Sequence, residues 1–154
     1  MTLESEPFRE AMAHWASGVA IAACRRDTGV VATTITAFMS LSAEPPLVLL
    51  ALGPNATIRP FLEHGADFAI SVLGGDQRRL AMVYADTFAV GASPFAASGP
   101  PVIPDALTTL TCRVADVRVA GSHLVVTAAV LEAVVRHGTT PLIRYLRRYH
   151  ELDG

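Results

Sequence analysis

In parts of this chain apolar residues recur at every second position, the period of a strand that buries one face, and elsewhere, as from Leu47 to Leu52, they run on unbroken as in a fully buried strand. Leu107 to Ala120 alternates well enough for a long strand and Leu124 to Val135 for its antiparallel partner, with Gly121-Ser122-His123 as the break between them. Gly18 to Cys24 is a strand of small and branched apolar residues that ends in the polar turn Arg25-Arg26-Asp27-Thr28-Gly29. Gly29 to Leu52 holds two further strands, separated where Glu44-Pro45-Pro46 removes ladder donors and forces extended backbone. Asp67 to Leu73 is another strand, and Pro141 to Leu152 closes the chain with two short segments around Arg144 to Arg148.

Helical spacing is local. Phe8, Met12 and Trp15 predict a short helix over Pro7 to Trp15. Gly74-Gly75-Asp76 leads into a helix to about Ala85, with Leu80, Ala81 and Tyr84 inward and Arg78 and Arg79 outward. A third helix is predicted from Thr57 as N-cap, through Pro60 in the first turn, to about His64, with Gly65 closing it. Asp86 to Pro104 is irregular and too long for a casual connection, which marks it as a lid, a partner contact or a mobile segment. Short strands at regular spacing with few helices predict a mainly β chain, an antiparallel barrel with helices packed outside, in one domain over residues 1–154.

One stretch carries unusual chemistry. If the backbone stays extended, Thr34, Thr36, Phe38, Ser40 and Ser42 share one face, and Ile35, Ala37, Met39 and Leu41 the other. The plain reading is a strand face turned to water. Against it, no charge occurs from Val30 to Ala43, and small hydroxyls suit the close approach of a flat polar ligand. Likewise the Thr57 helix start is either a phosphate seat or an ordinary capped end, and His123 by itself is a hairpin residue bonded to solvent or backbone.

With 154 residues the chain can bury roughly 70% of its unfolded surface. Its hydrophobic share of 51% and charged share of 17% predict that part of the surface is hidden in an oligomer. A net charge of -2 gives no basic field for nucleic acid. All 12 basic residues are Arg, which pairs with phosphate bidentately where Lys would not. Cys24 and Cys112 lack metal spacing and sit in apolar runs, so they read as core residues, and no metal site is predicted. No signal peptide and no apolar run of membrane length is present, which predicts a soluble cytoplasmic protein with no membrane partner.

Thr34, Thr36, Phe38, Ser40, Ser42, Pro45, Pro46 and Leu47 follow the pattern GxTxSSFxSVSxxPPL, and on these residues the chain resembles the flavin reductase-like family of FMN-binding split barrels. The resemblance continues through Phe8, Arg9 and Gly18-Val19, then Gly65, Phe68, Val72-Leu73 and Gln77. Leu110 and Cys112, Gly121 and His123, and Pro141-Leu142 with Tyr149 extend it over nearly the whole chain, in order. Departures fall at Ala32 and Thr33, where the family usually has Gly-Met, and at Ala37 and Ser71, where Ser and Asn are common. Ser122 replaces the usual Asp, and Arg144 a common Tyr.

The resemblance implies a six-stranded antiparallel split β-barrel that forms a homodimer and binds FMN or FAD at the subunit interface. It implies hydride transfer from NADH or NADPH to the flavin, and a flavin-dependent monooxygenase as the partner served. Thr34, Thr36 and Ala37 would line the isoalloxazine edge, with Ser40 and Ser42 nearby. Asn55, Thr57 and Gln77 would meet the ribityl-phosphate end, and His123 would face the nicotinamide. Two alternatives stay open: a non-catalytic flavin-binding or carrier module, which the substitutions motivate, and a structural dimer that uses its apolar surface for protein contact alone.

Overall fold

Strand alternation builds most of the molecule. The computed structural model describes residues 3–86 and 93–152. In chain order the elements are α1 (Ser5–Ala13), β1 (Ser17–Gly18), β2 (Ala20–Arg26), β3 (Gly29–Ile35), β4 (Phe38–Ala43), β5 (Pro46–Leu52) and β6 (Asp67–Val72). There follow α2 (Arg78–Ala85), β7 (Thr108–Ala120), β8 (His123–Val135), β9 (Leu142–Tyr145) and β10 (Arg148–Glu151). Seven strands form one antiparallel sheet in the order β3-β2-β6-β7-β8-β5-β4, and β1-β9-β10 form a second, three-stranded sheet. The chain is therefore mainly β with two described helices, as the alternation predicts, and its main sheet has seven strands where six were expected.

The two edges of the large sheet, β3 and β4, are consecutive in sequence and joined only by Thr36 and Ala37. Seven strands laid flat would hold their edges about 29 Å apart at roughly 4.8 Å per strand. Three Cα–Cα steps reach at most about 11 Å. The sheet must therefore roll until its edges meet at this corner. One core cluster agrees: Ile35 of β3 shares it with Val48, Leu50 and Leu52 of β5, Phe68 and Ile70 of β6, and Cys112, Val114, Val126 and Ala128 of β7 and β8. Leu50 and Ile70 are fully buried there, each stabilising the fold by about 1.5–3 kcal/mol.

Strand β2 is buried on both faces. Ala20, Ala22 and Cys24 point into the first cluster, and Val19, Ile21 and Ala23 into a second with Leu73, Ala81 of α2, Phe95, Ile103 and Leu142. That accounts for its unbroken run of small apolar residues.

Three expectations are corrected here. The hydroxyl stretch is not one extended strand: the chain bends at Thr36–Ala37, so Ile35 and Phe38 both pack on the first core, while Ala32 belongs to the second. Thr34 consequently lies on the α2 side, and the single face of hydroxyls is split. The third helix is a single 3-10 turn, Arg59–Phe61: the backbone leaves helical geometry at Leu62, at ψ 81, and Ile58 and Leu62 on either side of the turn are buried in the first core. Pro60 opens that turn and Gly65, at φ +83, follows it, but Thr57 does not cap it. Finally, the irregular stretch is partly a strap: its described portion packs Phe95, Ile103 and Ala106 on the second core, and Arg25 donates to the carbonyls of Ala96 and Gly99. The part of the expected lid at 87–92 lies outside the described residues.

The helix α1 lies over the small sheet. Its last residue Ala13 accepts a hydrogen bond from the Leu146 amide, and Glu6 pairs with Arg147 at 3.0 Å. Phe8, Met12 and Trp15, whose spacing predicts the helix, are 55%, 49% and 74% exposed.

Candidate functional site

The rolled sheet brings its two edges and the β7–β8 turn to one end of the molecule, where two clefts meet at His123. The larger, about 880 Å³, lies between α1, the Thr36–Ala37 corner and the β9–β10 turn, with Phe8, Trp15, Met39 and Leu146 among its apolar walls. The smaller, about 770 Å³, is bounded by Thr33, residues 53–56 and the end of α2. Both volumes suit a ligand of mononucleotide size. Arg144 in the larger cleft and Arg9 in the smaller make no ion pair among the described residues, so the region offers cationic groups to an anionic ligand. Arg144 stacks on Tyr149 with its guanidinium carbon 4.6 Å from the ring centroid.

Hydrogen-bond partners sort the threonines of this end into two groups. The Thr34 hydroxyl donates to the Ala81 carbonyl of α2 at 2.8 Å. Thr57 donates to the Ala32 carbonyl at 2.8 Å, and the Thr33 hydroxyl lies 2.8 Å from that of Thr57 and accepts from the Ile58 amide at 3.3 Å. With its proton spent on Ala32, Thr57 can only accept from Thr33, so each hydroxyl in this relay gives one bond and takes one. Thr36 has no intramolecular partner for its hydroxyl among the described residues, and with Ala37 it lines the larger cleft.

The other expected residues divide in the same way. Asn55 lines the smaller cleft and His123 lines both. Ser40 and Ser42 sit farther along the edge strand β4, on either side of a bulge, and line neither cleft. Gln77 lies apart: its side-chain oxygen accepts from the Gly74 amide at 3.0 Å, and it is buried as the cap of the turn that starts α2. Thr34, Thr57 and Gln77 thus each engage the side chain in an internal hydrogen bond. Thr33 and Arg59 were not foreseen as part of the site. Thr33 had drawn notice only as a departure from the Gly-Met pattern, and no local signal announces its pairing with a residue 24 positions away.

His123 is the first residue of β8 and faces Ala120 across the last rung of the hairpin. Its Nδ1 lies 3.0 Å from the Ser122 hydroxyl. The Ser122 carbonyl in turn accepts from Arg59 at 2.8 Å. The two thiols are unsuited to chemistry: both are buried, and burial pushes Cys112 up to about 12 and raises Cys24 as well. Among the described residues no group of His, Cys, Asp and Glu is placed to hold a metal ion, and no helix is long and apolar enough to cross a membrane.

A family model described as the flavin reductase like domain matches residues 12–153. The chain is 35% identical over 147 residues to the reductase component of 4-hydroxyphenylacetate 3-monooxygenase from Thermus thermophilus, covering 96% of each chain. To the NADH:riboflavin 5'-phosphate oxidoreductase of Streptomyces pristinaespiralis it is 36% identical over 159 residues, covering 94% of this chain and 86% of that one. Among solved structures, the flavin reductase PheA2 in its native state superposes with a TM-score of 0.87 at 30% identity, covering 99% of this chain and 100% of that one.

Proposed function

The chain belongs to the flavin reductase like family, and from that premise we propose that it is an NAD(P)H:flavin oxidoreductase that hands reduced flavin to a separate monooxygenase component. One observation carries the reading to this chain's own residues. Thr36, whose hydroxyl has no intramolecular partner among the described residues, unlike those of Thr33, Thr34 and Thr57, lines the apolar-walled cleft that His123 also lines.

The residues present fit a flavin. A ring with apolar faces and a polar edge needs apolar walls and neutral donors, and the cleft offers Met39 and Trp15 for the first and Thr36 for the second. The corner also lies between two edge strands, each paired on one side only, so alternate backbone amides of each point away from the ladder. When bound, the flavin supplies the redox chemistry, its ring accepting the hydride that reduced nicotinamide gives up at C4 while water supplies the balancing proton.

The protein's part is to hold and to orient. Thr36 and the amides around Ala37 donate to the polar edge of the ring, where negative charge gathers on reduction, and do so without reorganising at the moment of reaction. Ser40 and Ser42 continue that polar edge along β4, and Asn55 meets the phosphate end. Thr34, Thr57 and Gln77 contribute through backbone and scaffold. His123 orients the nicotinamide and does not act as a general base. FMN or FAD is the acceptor and NADH or NADPH the donor.

We also read the rolled sheet as the family's split barrel, with β3 and β4 as the lips of the split. Phe8 and Met12 on α1 and Trp15 just after it, all exposed, support a homodimer that covers them, and the buried unpaired cysteines are in keeping with a reducing cytoplasm. Loss of NADH or NADPH absorbance on adding FMN, FAD or riboflavin tests the activity, and no turnover with either donor rules it out. Protein that binds flavin and stays yellow when NADH is added without oxygen is a carrier instead.

A further inference from the structure

One connected set of side chains runs from Arg59, which lines neither cleft, to His123, which lines both. Arg59 begins the 3-10 turn that follows the 53–58 loop, and its Nη1 donates to the Ser122 carbonyl at 2.8 Å. The Ser122 hydroxyl lies 3.0 Å from His123 Nδ1, which leaves Nε2 as the free ring nitrogen. The start of the same loop stands against that nitrogen: a Cβ placed on Gly53 would lie 3.7 Å from Nε2. Meanwhile the end of the loop is fastened to β3 by the relay from Ile58 through Thr33 and Thr57 to the Ala32 carbonyl. One short segment thus passes beside the imidazole at Gly53, grips its turn at Arg59, and is itself tied to the sheet.

The need for a grip is physical. Ser122 and His123 sit at the exposed tip of two long strands, next to Gly121 at φ +60, and the last ladder rung is Ala120 with His123 itself. A two-residue tip of that kind is free to sway unless something outside the hairpin holds it. Arg59 supplies the outside hold. Among the described residues it has no carboxylate partner, so its guanidinium is not employed elsewhere in an ion pair.

We propose that Arg59 is a positioning residue for His123: by fixing the Ser122 carbonyl it sets where the imidazole stands between the two clefts, and so sets the affinity for the nicotinamide donor. This deepens the reading of His123 as the nicotinamide-facing group and rests on it. Arg59→Met keeps the apolar stem and removes the donors, and Arg59→Lys keeps one donor. The expected result for Arg59→Met is a KM for NADH raised about fivefold, with kcat and the flavin Kd within about twofold. Arg59→Lys should recover most of the loss. In a His123→Ala background, Arg59→Met should change KM by less than about 1.5-fold, because a residue that acts through the imidazole has nothing left to act on.

A second measurement does not depend on turnover. The ring proton and nitrogen resonances of His123, recorded by NMR without any nucleotide, should move in Arg59→Met and stay near the wild type in Arg59→Lys. Should Arg59→Met fail to fold, Arg59→Leu removes the same donors to the Ser122 carbonyl, with the same resonances as readout. Unmoved His123 resonances, or an equal KM effect with and without the imidazole, overturn the proposal. A wild-type protein with no NADH oxidation overturns the functional reading instead, while the resonances still decide whether Arg59 positions His123.

Discussion

Thr34 and Thr36 are two residues apart, and exchanging each for Val should produce opposite phenotypes. Valine keeps the branched shape at Cβ and deletes the hydroxyl. At position 34 the deleted group donates to the Ala81 carbonyl at 2.8 Å. That carbonyl lies within α2, Arg78–Ala85, so it keeps a helical donor and is not orphaned. The cost is then a net hydrogen bond, about 0.5–1.5 kcal/mol, without the larger penalty of a stranded buried group. In a domain of this size about 1 kcal/mol lowers Tm by roughly 2–4 °C. Thr34→Val should show that drop and bind flavin with unchanged affinity. Thr36→Val removes a hydroxyl that has no internal partner among the described residues, on a residue that lines the larger cleft, so Tm should stay within about 1 °C. Its flavin Kd should rise about fivefold, the equivalent of one hydrogen bond of about 1 kcal/mol. Thermal unfolding followed by circular dichroism, and flavin fluorescence quenching, read the two effects on the same samples. If Thr36→Val lowers Tm as Thr34→Val does and leaves flavin affinity unchanged, the division of the hydroxyls between scaffold and ligand is wrong.

His123→Ala should raise the KM for NADH while flavin affinity changes little, and steady-state kinetics beside a flavin titration check the split; a weakened flavin with an unmoved KM would reverse the assignment. Asp67 is held below the usual carboxylate range by its hydrogen bond from Arg113 and by the nearby guanidinium. Its folded form binds protons less readily than the unfolded chain, so the pair's contribution is present above the ordinary carboxylate range and is lost as pH falls through the lowered value. The partners are more than half exposed, so solvent screening keeps the effect small. Tm measured from neutral to acid pH should fall slightly more steeply in wild type than in Asp67→Asn, and superimposable curves would show that the pair contributes nothing. Cys112, buried with its thiol at about 12, should stay unreactive to a thiol reagent at mildly alkaline pH until denaturant is added. Rapid labelling of Cys112 in the native protein, located by mass spectrometry, would contradict its burial.

Period-two alternation made the long hairpin legible almost to the residue: β7 and β8 run Thr108–Ala120 and His123–Val135, against expected limits of Leu107 to Ala120 and Leu124 to Val135. It failed at Thr36–Ala37, because periodicity assumes a straight strand and a two-residue corner reverses which face each later side chain takes. The failure at Thr57 has a different source. Local capping rules weigh only the next few residues, whereas Ala32 and Thr33, about 25 positions earlier, had already claimed that hydroxyl. Gln77 is the reverse case: a position carried over from the resemblance, whose polar end is used three residues back to cap its own turn.

The same corner explains why the proposed site lies at this end of the rolled sheet and not along its face. A fully closed barrel pairs every strand on both sides and has no spare amides to offer. Here the two edge strands are brought together by a connector too short to let them separate, yet β3 forms a ladder only with β2, and β4 only with β5. The result is a seam with unpaired backbone donors, kept free of charge from Val30 to Ala43 so that no carboxylate competes for them and no ammonium has to be desolvated when a ligand enters. Inserting two residues between Ile35 and Phe38 tests the seam. The insertion lengthens the connector between two residues of the first core, Ile35 and Phe38, but deletes no core side chain, so Tm should change little while flavin affinity collapses. Flavin bound as tightly by the insertion variant as by the wild type would mean that the ligand is held elsewhere.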